Sequence, residues 1–205
     1  QIVQGSAKFA KNPDEIWYVT DRDNEFDRLA TLNLKTKKIS YFTSAIPWEV
    51  SGYTLSKDKS KIAFETNESG LNKLYLMDTN SKKYSEIKGL PVGLVNNFDF
   101  TDDGKSLFFS QSTYDSSADI YRLDLASGKI ERWTDSEQGE MQKTDMSAPK
   151  LIEWKSFDGM KITGFYYPVS KKFTGKRPVL INIHGGPEGL SMASSLGSGN
   201  YYTNE

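Results

Sequence analysis

The chain has 205 residues, 26 of them basic and 27 acidic, for a net charge of −1. That balance argues against a broad surface for nucleic acid or anionic membrane, and no apolar run approaches the roughly 20 residues of a membrane-spanning helix. There is no cysteine, which excludes disulfides, thiolate metal sites and a thiol nucleophile, and which suits cytoplasm and periplasm alike.

From the N-terminus the chain reads as a repeat. "KFAKNPDEIWYVTD", from Lys8, is followed by "YTLSKDKSKIAFETNESGLNKLYLMDTNSKK", from Tyr53, and by "FDFTDDGKSLFFSQSTYDSSADIYRLDLASGK", from Phe98. Between the last two, Ser56 matches Thr101, Asp58 matches Asp103, Ile62 matches Leu107 and Phe64 matches Phe109, each 45 residues apart. Tyr75 then matches Tyr121 and Asp78 matches Asp124 at 46, so one residue has been inserted in the loop between. In the first copy Phe9 is set against Tyr53, Ile16 against Ile62 and Leu29 against Leu74. Each copy predicts two hairpins, because apolar alternation is broken twice by polar turn residues. Four short strands per unit of about 45 residues is the signature of a propeller blade. Leu74, Leu76, Ile120 and Leu123 are predicted core positions, and Asp78 and Asp124 are predicted turn caps rather than metal ligands. About three blades fall short of a closed ring, which takes roughly four to eight, so the natural chain is expected to carry more before Gln1. A β-sandwich would account for the strands, but it has no need of the repeat.

After Trp133 the pattern stops. Residues 137–150 are polar, lack apolar periodicity and read as a linker or as an ordered loop across a domain interface. "LIEWKSFDGMKITGFYYPV" predicts a hairpin around Asp158-Gly159, and "SKKFTGKR" a solvated basic loop. "PVLINI", residues 178–183, is apolar on both faces, as a central strand of an α/β sheet is. The expected fold is therefore mostly β: a partial β-propeller over residues 1–136, the linker, then the first strands of an α/β-hydrolase domain over 151–205.

The chemistry gathers at "HGGPEG", which follows the apolar strand. Sites in open α/β sheets form beyond the carboxyl ends of strands. In α/β-hydrolases a loop of the His-Gly-Gly type supplies one N–H to the oxyanion, and the residue after the nucleophile supplies the other. His184, Gly185 and Gly186 are thus the candidate site residues. His184, the only histidine, is a poor triad base, since in these hydrolases the histidine follows the nucleophile and the acid. It is also a poor metal ligand without clustered partners. No G-x-S-x-G elbow is present. "GLSMA" ends in Ala193 and lies in the same loop, which disqualifies Ser191 as nucleophile.

The blades, the "WKSFDGMKITGFYYP" hairpin and "GKRPVLINIHGGPEG" together resemble the prolyl oligopeptidase family of serine peptidases, in the branch of acylaminoacyl-peptidases and dipeptidyl peptidases. The resemblance covers essentially the whole chain and rests most on the hairpin and the "HGGPEG" loop. It implies a propeller that admits short peptides to a Ser-Asp-His triad, with no cofactor, no metal, no nucleic-acid partner and no membrane. It also implies that the triad lies beyond Glu205, so that this segment is inactive alone. Gly186 matches the position whose N–H serves the oxyanion hole, and His184 matches one where some relatives carry a tyrosine. "GLSMASSLGSG" departs from relatives that carry bulkier residues and an arginine there, which puts substrate contacts in that loop in doubt. Two other readings stay open: a propeller binding module without catalysis, and an esterase or lipase with the same oxyanion loop.

Overall fold

The structure, a computed structural model, describes residues 5, 7–137, 139, 142, 146–169, 173–186, 189–194, 196 and 199–204. Three four-stranded antiparallel sheets follow one another along the chain. The first is β1 (Lys8–Phe9), β2 (Glu15–Thr20), β3 (Arg28–Asn33) and β4 (Ile39–Tyr41). The second is β5 (Val50–Leu55), β6 (Lys61–Glu68), β7 (Leu71–Asp78) and β8 (Tyr84–Glu86). The third is β9 (Gly93–Phe100), β10 (Ser106–Thr113), β11 (Ser116–Asp124) and β12 (Ile130–Arg132). Every sheet pairs its strands in sequence order as a meander, which is how a propeller blade is built. Strands β13 (Lys150–Lys155) and β14 (Lys161–Tyr166) form a separate hairpin, and α1 (Asn200–Asn204) is a single short helix.

The predicted repeat is the physical repeat. Ile62 pairs with Met77 and Phe64 with Tyr75, while Leu107 pairs with Leu123 and Phe109 with Tyr121. The aromatic pair stacks in both blades, with centroids 5.0 Å apart for Phe64–Tyr75 and 5.4 Å for Phe109–Tyr121. Leu29 takes the place of Leu74, since each faces the equivalent residue of the preceding strand, Val19 and Glu65. Phe9 is a correction. It pairs with Ile16 as Leu55 pairs with Ile62, so its counterpart is Leu55 and not Tyr53. The two connecting segments have the same length, six residues in each copy (10–15 and 56–61), so Phe9 set against Tyr53 is two residues out of register. The inserted residue of the third blade is taken up as a β-bulge between β10 and β11, at Gln111 and Thr113, rather than in a loop. Strands β6 and β7 also run further than their apolar residues suggest. Thr66, Asn67 and Glu68 pair with Lys73, Asn72 and Leu71 across a two-residue turn.

Alternate residues of each strand point to opposite faces, and the blades stack on those faces. The first interface joins Trp17, Val19 and Leu29 to Ile62, Phe64 and Met77. The second joins Ala63 and Leu74 to Leu107, Phe109 and Leu123. Of the predicted core residues, Leu74 and Leu123 are buried and Leu76 is half-buried, but Ile120 is 38% exposed. Ile120 occupies the outer face of the third blade, where no further sheet of the described residues covers it. Asp78 and Asp124 cap their turns as predicted: Asp78 Oδ1 accepts from the Ser81 amide (2.7 Å) and Asp124 Oδ1 from the Ser127 amide (2.9 Å).

Candidate functional site

Leaving the third blade, the chain is stapled to it by Asp119. This carboxylate is fully buried. It accepts hydrogen bonds from Ser116, Thr134, Arg132 and the Ser136 amide. Burial alone would raise its pKa, but these donors hold it well below the usual carboxylate range. Residues 134–136 are thereby fixed as the path out of the blade, and β13 is the next regular element among the described residues.

The β13–β14 hairpin forms with the predicted turn. Gly159 sits at φ +85°, and its amide donates to the Ser156 carbonyl. Its apolar residues stay largely exposed, among them Trp154 at 49%. Residues 178–183 differ from the prediction. They have no strand pairing, and Val179, Leu180, Ile181 and Ile183 are 71–83% exposed. A strand apolar on both faces forms only between neighbouring strands, and the hairpin pairs only with itself.

The candidate residues follow directly. His184, Gly185 and Gly186 are exposed and lie in irregular backbone; Pro187 and Glu188 lie outside the described residues. His184 Nδ1 is 2.9 Å from the Gly185 carbonyl oxygen, a separation at which a ring N–H donates. The loop folds back on itself here. A Cβ on Gly189 would come 2.1 Å from the Gly185 oxygen and 2.7 Å from His184 Nδ1, so only glycine fits. His184, Gly185 and Gly189 are therefore brought together, and Gly186 lies in the same turn.

Ser191 lies in irregular chain, not on a strand-to-helix turn, in keeping with its rejection as a nucleophile. Among the described residues no group of three or more His, Asp or Glu is placed to hold a metal ion, and no helix is long and apolar enough to cross a membrane. Sequence reading missed the support of the loop by the β6–β7 turn. Ala193, fully buried, donates its amide to the Gly70 carbonyl at 3.0 Å. "SG" in "TNESGLNK" was the available signal, as a two-residue hairpin turn, but its partner lies 123 residues further on.

No protein-family model matches the chain, and no curated protein matches it in sequence. Its fold is similar to solved structures. A puromycin hydrolase superposes with a TM-score of 0.81 at 17% identity, over 99% of this chain and 32% of that one. Prolyl oligopeptidase B from Galerina marginata, bound to a 25mer macrocyclization substrate, superposes at 0.65 and 14% identity, over 80% of this chain and 23% of that one. TolB from Acinetobacter baumannii superposes at 0.52 and 18% identity, over 82% of this chain and 44% of that one. At these identities the likeness is one of fold: a propeller-like run of antiparallel blades. The chain spans about a third of the length of the puromycin hydrolase it matches.

Proposed function

We propose that this chain is the propeller-to-hydrolase segment of a serine peptidase that cleaves short peptides, of the acylaminoacyl-, dipeptidyl- or oligopeptidase type. Residues 1–136 supply blades that gate access, 137–150 connect, and 151–205 begin an α/β-hydrolase domain. The observation that carries this reading is the extent of the fold likeness. The puromycin hydrolase matches 99% of the chain, hairpin and loop included, and the loop holds His-Gly-Gly after an apolar run.

In the proposed reaction a serine outside this chain attacks the peptide carbonyl, with histidine and aspartate activating it. The Gly186 amide donates to the oxyanion that develops. Gly185 lets the backbone approach closely, and the ring of His184 braces the turn through the Gly185 carbonyl. Removal of one oxyanion donor lowers kcat by about 10²–10³. Gly186→Val in the natural polypeptide is accordingly expected to lower kcat for aminoacyl or peptidyl amides, puromycin among them, by about a hundredfold. Wild-type kcat in that variant would remove Gly186 from the site. A second reading, a propeller that binds without catalysis, rests on the three blades alone, each of which pairs its four strands within itself and apart from the His184–Gly186 loop. A serine-directed phosphonate separates the two: it labels the natural polypeptide if the peptidase reading holds, and leaves it unlabelled if the chain belongs to a binding module.

A further inference from the structure

The second blade and the oxyanion-loop segment meet at the β6–β7 turn, and the contact is made largely by backbone. Ser69 and Gly70 have φ angles of +56° and +83°, the two positive values of a type I′ hairpin turn. Asn67 Oδ1 accepts the Gly70 amide at 2.9 Å, and its Nδ2 reaches the Met192 sulfur at 3.3 Å. The Gly70 carbonyl accepts the Ala193 amide. A Cβ on Gly70 would lie 2.3 Å from the Ser191 carbonyl oxygen and 2.7 Å from the Phe165 ring. The first of these is main chain and has no rotamer by which to withdraw. Tyr167, just beyond β14, donates its hydroxyl to the Ser194 carbonyl at 2.8 Å. Residues 191–194 are thus held on one side by a blade and on the other by the β13–β14 hairpin. Four residues upstream of Ala193 the chain is packed again, where Gly189 closes on His184 and Gly185.

We propose that Gly70 is a positioning residue for the His184–Gly186 loop. The β6–β7 turn grips residues 191–194, and because Gly189 locks that segment to His184 and Gly185, the grip sets where the loop's amides point. Blade position and loop geometry are then coupled through one backbone hydrogen bond and one glycine-only contact. The catalytic consequence rests on the oxyanion reading given above; the grip itself rests on the contacts alone.

The test is hydrogen exchange on the natural polypeptide, followed in peptides that cover residues 189–194. Gly70→Ala should speed exchange there by about tenfold or more, since the Ala193 amide loses its acceptor, the Gly70 carbonyl. Gly104→Ala is the control. Gly104 also has a positive φ, +65°, but nothing lies within 4 Å of its added Cβ, so it brings backbone strain without the contact. Asn67→Ala, which adds no atom, should give a smaller rise in the same peptides and guards against a misfolded Gly70 variant. For turnover, Gly70→Ala is expected to lower kcat by about tenfold with little change in KM, and Gly104→Ala to leave both unchanged. Unaltered exchange at 189–194 in both the Gly70 and Asn67 variants overturns the grip. A Gly70 variant with wild-type kcat beside an inactive Gly186→Val overturns the positioning role. If both are fully active the oxyanion reading fails instead, and the exchange result alone decides the grip.

Discussion

Residues 62–64 and residues 178–183 are both apolar stretches with strong strand propensity, yet they end in opposite surroundings. Ile62, Ala63 and Phe64 of β6 are fully buried, whereas Ile181 and Ile183 are 76% and 83% exposed. Strand β6 finds β5 across a turn of a few residues and β7 across two, and the neighbouring blades cover both its faces. "PVLINI" has no such local supply. Parallel or central strands of an α/β sheet receive their neighbours through long crossover connections, and none is delivered by the hairpin before it. Apolar content states that a segment needs cover, and connectivity decides whether cover is near enough in sequence to be provided.

The same contrast holds inside the repeat and gives the largest measurable effect. Leu74 and Ile120 are equivalent, each facing the corresponding residue of the preceding strand, Glu65 and Ser110. Leu74 is fully buried against the third blade; Ile120 looks outward beside Trp133, itself 59% exposed. Leu74→Ala is expected to destabilise the chain by about 3 kcal/mol, and Ile120→Ala by less than about 1 kcal/mol. Urea midpoints at constant m-value measure both. Equal losses would break the comparison and reveal a further sheet packed on the third blade.

A smaller effect comes from a charge placed in the buried interface. Glu65 shares the face of Leu74, where the first blade has Val19 and the third Ser110. Burial pushes its pKa up to about 7, with the Asn72 amide at 3.3 Å partly opposing the shift. The folded value lies above the unfolded one, so between about pH 4.5 and 7 the native state keeps a proton that the unfolded chain releases. Stability must then fall as pH rises through that window and level off above it. Glu65→Gln removes the penalty. It should stabilise the chain by about 2 kcal/mol at pH 8 and change little at pH 4. A gain of the same size at both values would trace the effect to packing rather than to charge.

These particulars mark what was readable in the sequence. The blades were, because each strand's partner is its neighbour in sequence and the 45-residue spacing repeats the pairing. Asp78 and Asp124 were, because a capping carboxylate acts on amides two or three residues away. The offset at Phe9 and the bulge at Gln111 were misplaced, since both are register effects that apolar alternation does not fix. Gly70 was invisible as a support: its tight neighbours, Ser191 and Phe165, are about 100 residues away or more. His184 and Gly185 were singled out by motif, but the closure of Gly189 onto them emerged only from the folded loop.

The smallest expected effect tests the exposed side of the opening contrast. Ile181 makes no ladder and buries little surface, so Ile181→Asp should alter the stability of this 205-residue chain by no more than about 0.5 kcal/mol. The same change in the longer polypeptide proposed above has a different meaning, because that polypeptide includes the hydrolase domain. There "PVLINI" would be a central strand, and an unpaired carboxylate in its core would destabilise by several kcal/mol. Paired urea titrations of the short chain and the long one therefore turn a negligible effect into a diagnostic one. A large loss in both would show that residues 178–183 are already covered within this chain. A negligible change in both would mean that no sheet ever closes over them, and the α/β reading of the C-terminal third would fall with it.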